Sequence, residues 1–386
     1  MYDIIIRKKE EKQEILLLEN GILAERILQD ENTENIEGNI YLGKVQNVLP
    51  GMQAAFIDIG EDKNTFIHLK DILPKVDEAN GEKQDENINI KDVVKPGMQL
   101  LVQVKRAESN KKGARVSSHI SISGKYVVLM PNTSFVTVSQ KIEESSECER
   151  LKCIIKEMLP ENMGAIVRTA AAKKSKQELQ QDVENLKDQW NKIAKKAEQT
   201  KEIPTLIYKG NSIIKRMIFD LIEKDIRSIK VNDENLYSEI IEITKDIRKI
   251  SVTQSKQAGE TEDIQKQIEA IEKRKIWLKC GGFITIDKTE ALTAIDVNTG
   301  KYTGTRSLEQ TIFTVNKEAT VEIAKQLKLR DIGGIIIIDY IDMTEKVNKE
   351  KIERNLKDEL KKDRSKTQVL GFTKLNLLEM TRKHIN

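Results

Sequence analysis

The segment AIDVNTG, Ala294 to Gly300, sets an aspartate and an asparagine two residues apart inside a run that otherwise reads as a β-strand. Side chains alternate along a strand, so Leu292, Ala294, Asp296 and Asn298 share one face, and Thr293, Ile295 and Val297 the other. Asp339 follows four consecutive isoleucines, which places it at or near the end of a second strand in the middle of a sheet. An unpaired carboxylate on a buried strand is costly or shifts its pKa, so both acids, read as buried, are expected to have a partner. In open α/β sheets ligands bind at strand ends, and Asp296 and Asp339 are therefore expected to converge on one site. Carboxylate oxygens with an amide beside them suit a hard cation, magnesium or manganese, where zinc more often asks for His or Cys. A divalent ion held there polarises a phosphate and generates hydroxide from water. Asp342, three positions further along the same strand, is expected to face away from Asp339. A strand-end aspartate also serves as a helix cap or a salt-bridge member, and the residues alone leave that alternative open.

Other chemistries find little support. His68, His119 and His384 are scattered, with no Ser/His/Asp or Cys/His constellation for nucleophilic hydrolysis. Gly281-Gly282 and Gly333-Gly334 are not followed by the Gly-Lys-Ser/Thr of a phosphate loop. Cys148, Cys153 and Cys280 form no C-x-x-C pair, against both a disulfide framework and a zinc ribbon, and fit a reducing cytoplasm. Lys+Arg number 65 against 62 Asp+Glu, a net charge of +3, so evidence for a nucleic-acid partner must be local. The start, MYDIIIRKKEEKQEILLLENG, reads as two strands and a turn, not as a signal peptide. No stretch approaches the roughly 18 apolar residues of a membrane span, so a cytoplasmic protein is expected.

The elements that must position the acids lie in the last third, residues 272–386. There FITIDKTEALTAIDVN reads as a hairpin, IFTVNKEATVEIAKQLKL as a helix ended by Gly333-Gly334, and IIIIDYIDM as a buried strand. A further helix, with Thr344 as its expected N-cap, carries Ile352, Leu356 and Leu360 at four-residue spacing. This is a mixed α/β layer. Upstream, residues 36–123 show short β-rich runs cut by Pro50-Gly51 and Gly60, and five strands with a long polar insertion, PKVDEANGEKQDENINIKDVVKPG, suggest an OB fold. Residues 124–204 end in an amphipathic helix: Ser175 and Glu178 have capping-box spacing, and Leu179, Val183, Leu186, Trp190, Ile193 and Ala197 recur at spacings of four and three. Trp190 is read as a core anchor. Residues 205–271 begin strand-like and turn helical and charged, with Thr261 to Gln267 read as a solvated face.

TEALTAIDVNTG at 289–300, LRDIGGIIIIDYIDM at 329–343 and LLEMTRK at 377–383 together resemble the catalytic region of the ribonuclease E/G family, and NIYLGKV, AAFIDIG, KYVVLMPN and MGAIVRTA extend the likeness over essentially the whole chain. The resemblance implies an α+β multidomain fold: an S1-type OB barrel inserted in a ribonuclease H-like fold, a sensor for the RNA 5′ end, and a deoxyribonuclease I-like catalytic subdomain. Residues 1–35 and 205–271 would form the non-catalytic ribonuclease H-like part. It further implies that Asp296 and Asp339 coordinate magnesium, that Asn298 orients a carboxylate or the scissile phosphate, and that a water activated at the metal attacks the phosphodiester, leaving a 5′-phosphate and a 3′-hydroxyl.

By the same resemblance Phe56 and Phe66 match aromatics that contact RNA, and Lys112 a basic contact. Rings stack bases, and KRAESNKKGAR sets Lys105, Arg106, Lys111, Lys112 and Arg115 near the phosphates, although Phe56 reads equally as a core residue. The 5′-end sensor maps onto Gly124, Val128, Arg168 and Thr169, with a structural salt bridge as the other reading of Arg168. Lys141 and Lys366 stand where better-studied members carry arginines, which keeps charge but loses the bidentate fork, so a weaker preference for a 5′-monophosphate is expected. Family members continue past LLEMTRK into a cysteine pair that shares zinc between subunits and a small dimerising domain, whereas this sequence stops at Asn386, as a truncated chain or a shortened homologue. Zinc-linked dimerisation therefore does not carry over, though a homo-oligomer remains open. The implied activity is magnesium-dependent endonucleolytic cleavage of single-stranded, AU-rich RNA in processing of ribosomal RNA precursors and decay of messenger RNA. The alternatives are a non-catalytic RNA-binding protein of ribosome assembly and a metal-dependent phosphodiesterase acting on DNA.

Overall fold

The computed structural model describes residues 1–30, 35–74, 88–107, 113–222, 224–245, 247, 250–301 and 307–384. The chain divides into two compact units, Met1–Thr33 with Lys224–Asn386, and Glu34–Glu223.

In the first unit, strands Tyr2–Lys9, Lys12–Glu19 and Ile22–Asp30 form an antiparallel meander, turned where Glu10, Asn20 and Gly21 take positive φ. Ile226–Val231 and Ser251–Gln254 extend this sheet in parallel beside Tyr2–Lys9. The isoleucine and leucine runs of the first two strands are buried along their length, as runs covered on both faces are. Thr261 to Gln267 opens the helix Glu262–Glu272, which is not solvated all round: Ile264, Ile268 and Ile271 are buried.

The second sheet of this unit carries the acids. Its order is Lys275–Trp277, Phe283–Lys288, Leu292–Asn298, Gly334–Asp339, Leu377–Arg382, Thr367–Phe372. The expected hairpin is present, and the parallel central pair is joined through the helix Leu308–Leu329. That helix is capped by the Ser307 hydroxyl and buries Val315, Ala319, Ile323 and Leu327 at spacing four. The helix Lys346–Leu360 adds Ile352, Leu356 and Leu360 to the same core, which packs on Ile284, Ile295, Ile336, Ile338 and Leu378 of the sheet. Thr344 is not its N-cap: the helix begins after Glu345, and the Thr344 hydroxyl donates instead to Glu309 (2.7 Å). Behind the sheet, buried Arg382 donates to Asp363 (2.7 Å) and Asp331 (2.8 Å). The opposite face is open, with Ala294, Asp296, Ile335 and Asp339 exposed.

In the second unit, Ile40–Leu49, Ala54–Asp58, Thr65–His68, Gln99–Arg106 and Arg115–Ser117 form the five-stranded barrel expected of an OB fold, closed by pairing of its first and fourth strands. Ile57, Ile67, Val102, Val104 and Val116 fill it. Of the long insertion, residues 75–87 lie outside the described residues, and Ile90–Val93 is a helical turn that buries Ile90. Thr205–Tyr208 pairs with the first barrel strand, so the chain re-enters the first unit at Lys224 and not at residue 205. Beside the barrel a four-stranded sheet, Val136–Val138, Gly164–Val167, Val127–Met130 and Ile122–Ser123, packs under the helices Ser145–Met158 and Lys176–Gln199. The capping box of Ser175 and Glu178 is formed, and Trp190 packs half-buried against this core, as expected of an anchor. No helix among the described residues is long and apolar enough to cross a membrane.

Candidate active site and nucleic-acid surfaces

Asp296 and Asp339 are register partners in the parallel central pair, which sets them side by side on one face at the strand spacing of about 5 Å. Asn298, one pleat further along, donates its Nδ2 to Asp296 Oδ2 (2.5 Å). Both acids are exposed on the open face, which corrects the expectation of buried carboxylates. The anomaly is one of charge and not of burial, since like charges directly across neighbouring strands destabilise a sheet. Asp339 registers it: partial desolvation, then the negative charges of Asp296 and Asp342, push its carboxyl above the ordinary value. The charge of Asp342 thus reaches Asp339. The strand stops at Asp339, the period-two argument stops with it, and Asp342 brings its charge toward the pair while accepting from Asn376 (3.3 Å).

Among the described residues Asp339 has no hydrogen-bond or ion-pair partner, and no three His, Cys, Asp or Glu side chains gather closely enough to hold a metal by themselves. Two adjacent carboxylates nevertheless fit magnesium or manganese, which keep several waters and are commonly bound through one or two carboxylates plus substrate phosphate. The three cysteines are free thiols, and none of them stands in a zinc-like cluster among the described residues.

On the barrel, Phe56 and Phe66 are cross-strand partners in edge-to-face contact, with centroids 6.2 Å apart. Both are half-exposed and alternate with buried Ala55, Ile57, Thr65 and Ile67, so Phe56 stands on the outer face and not in the barrel core. Arg115 follows Phe66 in register but is paired with Asp71 (2.7 Å). Lys105 departs from expectation: its ammonium donates to Gln103 (2.6 Å) and Ser121 (3.1 Å) and braces the barrel wall. Arg106 is exposed, and Lys111 and Lys112 lie outside the described residues.

The residues assigned to 5′-end sensing in this unit converge. Arg168 donates to the Gly124 carbonyl (3.0 Å) and is ion-paired with Asp220, the Thr169 hydroxyl meets Ser139 (3.1 Å), and the Lys141 amide approaches the Ser139 hydroxyl (3.4 Å). Val128 lies on the adjoining strand, paired with Ile166, two residues before Arg168. Buried Asp182 accepts from three successive amides, Lys125, Tyr126 and Val127 (3.0, 2.8 and 3.0 Å), while burial pushes its pKa up. A side chain at position 124 would sit 2.7 Å from that carboxylate, which is why a glycine stands there. Lys366 belongs to the other unit, just ahead of the strand Thr367–Phe372.

Residues 121–385 match the model of the ribonuclease E/G family, and residues 34–118 that of the S1 RNA binding domain. The chain is 39% identical to ribonuclease G of Escherichia coli strain K12, covering 99% of this chain and 79% of that protein. It is 38% identical to ribonuclease G of Haemophilus influenzae (96% and 77% covered) and 35% identical to ribonuclease E of Buchnera aphidicola subsp. Schizaphis graminum (99% and 40%). The chain belongs to the ribonuclease E/G family.

In this ribonuclease E/G chain, sequence reasoning passed over three groups that the fold brings to its sites. Asp182 had a signal, a charged residue on the apolar stripe of its helix, one turn after Leu179. Asp220, at the end of the helix Ile213–Asp220, had none, because its meeting with Arg168 is a tertiary event. Phe283 showed only as part of the hairpin, and Lys275 and Trp277 drew no reading, yet all three share the open face with the acid pair.

Proposed function

We propose that this ribonuclease E/G chain is a magnesium-dependent endoribonuclease that cuts single-stranded RNA at the Asp296–Asp339 pair. The observation that carries this reading is the register: two carboxylates side by side without an ion-pair partner among the described residues, one of them held by Asn298, on an open sheet face. Asp296 and Asp339 would hold the ion, with manganese able to replace magnesium. When bound, such a cation supplies Lewis acidity toward a phosphate oxygen and a water of lowered pKa. Asn298 holds one oxygen of Asp296, which leaves the other for the cation. Phe56 and Phe66 offer the barrel's outer face to unpaired bases, with Lys112 as a phosphate contact. The Arg168, Thr169, Gly124, Val128 and Lys141 cluster would read a 5′-monophosphate. AU-rich ribosomal RNA precursors and messenger RNA, products ending in 5′-phosphate and 3′-hydroxyl, and a cytoplasmic location complete the reading. Its finer fold names rest on the mixed five-stranded sheet for the ribonuclease H-like part and on the one-sidedly covered six-stranded sheet for the deoxyribonuclease I-like part.

A purely RNA-binding role is disfavoured because adjacent exposed carboxylates repel a phosphate backbone unless a cation intervenes. The test is cleavage of a short AU-rich RNA and its DNA counterpart, in magnesium or EDTA, by wild type and Asp296→Asn. Magnesium-dependent cutting of RNA, absent in the variant, supports the reading. Tight binding without any cutting, or equal cutting of DNA, overturns it.

A further inference from the structure

The open face that carries the acids carries more than acids. Register runs Lys275, Thr285, Asp296, Asp339 across four strands, and Trp277, Phe283, Asn298 across three, all on the same side of the pleat. The two aromatic rings are therefore one and two strand spacings from Asn298, about 5 and 10 Å. Trp277 is 53% exposed on the edge strand, and Phe283 meets it edge-to-face with centroids 5.3 Å apart. The Lys275 ammonium sits 3.6 Å from the Phe283 centroid and 4.2 Å from that of Trp277, and among the described residues it has no carboxylate partner. The rings are held in place. Gly300, in the turn directly after Asn298, has φ +57, and a Cβ there would lie 2.5 Å from the Gly281 carbonyl and 3.1 and 3.3 Å from the two rings. The turn leaving the acid strand thus packs on the aromatic pair.

We propose that Lys275, Trp277 and Phe283 form a nucleobase-binding subsite, in which one base of a single-stranded RNA stacks on the open side of Trp277 and its phosphate meets Lys275. The inference deepens the nuclease reading and rests on it for placing the scissile bond at the acid pair. An exposed indole fixed beside a ring and a cation matches the two chemical parts of a nucleotide, a flat π-surface and a negative charge. The subsite lies within a nucleotide's reach of Asn298, so it would set which phosphodiester reaches Asp296 and Asp339. Trp277 and Phe283 act here as positioning residues and not as catalytic ones.

The chain has two tryptophans, Trp190 and Trp277, so a Trp190→Phe background lets fluorescence report on Trp277 alone. A short single-stranded RNA titrated in EDTA, which allows binding without cutting, is expected to quench that emission saturably. In magnesium, Trp277→Ala is expected to raise KM about tenfold, the order of one stacked base, with kcat little changed and the preferred cut displaced, while Trp277→Phe restores most of the loss. No quenching, with KM and cut position unchanged in a protein that still cuts, overturns the subsite and leaves the nuclease intact. If no RNA is cut at all, the nuclease reading fails, and the quenching titration alone decides the subsite. A change in sedimentation with Trp277→Ala and no quenching by RNA also overturns it, because the patch then contacts a second copy of the chain.

Discussion

Around Asp296 and Asp339 two negative charges stand together with no ion-paired cation among the described residues, only the more distant charge of Arg274 reaching Asp296, and desolvation together with this repulsion pushes the carboxyl of Asp339 up. Around Arg168 the charges are answered from within the chain: its guanidinium by Asp220 and the Gly124 carbonyl, and nearby Asp182 by three backbone amides. The first cluster becomes satisfied only when something positive arrives. The second must give up an internal partner before it takes anything negative. The proposed cation site and the proposed anion site thus differ in how far their charges are already answered from within the chain.

The largest expected effect is on the unanswered pair. Asp339→Asn should lower initial cleavage rates by about a thousandfold, the order of several kcal/mol of lost transition-state charge stabilisation. Its Tm without divalent ions should stay level or rise, since a repulsion is removed, and a falling Tm would show that the carboxylate is structurally engaged after all. Within the same unit Arg382 and Asp363 give the reverse case, a buried pair already closed. Asp363→Ala should cost about 1.5–3 kcal/mol in urea unfolding, because it takes one of two carboxylate partners from a buried guanidinium that keeps Asp331. On the barrel, Phe56→Ala or Phe66→Ala should weaken RNA binding about tenfold by fluorescence anisotropy while leaving the protein folded.

Asp220→Asn frees Arg168 and should raise the preference for 5′-monophosphorylated over 5′-hydroxyl RNA about threefold, the modest size of a part-exposed ion pair. A fall in that ratio would mean that Asp220 helps to present Arg168. The smallest effect concerns Glu147, whose carboxylate accepts from Arg150 and from the Lys173 amide, which lowers its pKa from 4.5 to about 2. A depressed carboxyl contributes stability above its unfolded value and loses it as pH falls toward the folded one. Acid unfolding curves of wild type and Glu147→Gln should therefore converge as pH drops from 4.5 to about 2. Solvent screening keeps the difference small.

Much of this was legible in the sequence because it is local. Alternation along LTAIDVN places Asp296 and Asn298 on one face, turn residues mark the barrel strands, and Ser175 and Glu178 announce a capped helix. Even there the local pattern misjudged the environment: the face was read as buried, yet helices cover only the other side of the sheet. Asp342 was misread because a period of two holds only while the strand lasts. Lys105 was misread because a lysine in basic text shows nothing of the glutamine and serine that the barrel wall brings to it. The pairings Arg168–Asp220 and Asp182 with the Gly124 turn depend on tertiary contacts that no spacing encodes.

The central claim is that Asp296 and Asp339 together hold a divalent cation, and Mn²⁺ titration followed by EPR tests it without relying on turnover. Wild type is expected to show a saturable site that Asp296→Asn and Asp339→Asn each abolish. Equal Mn²⁺ binding by all three proteins, or binding by none, would contradict it.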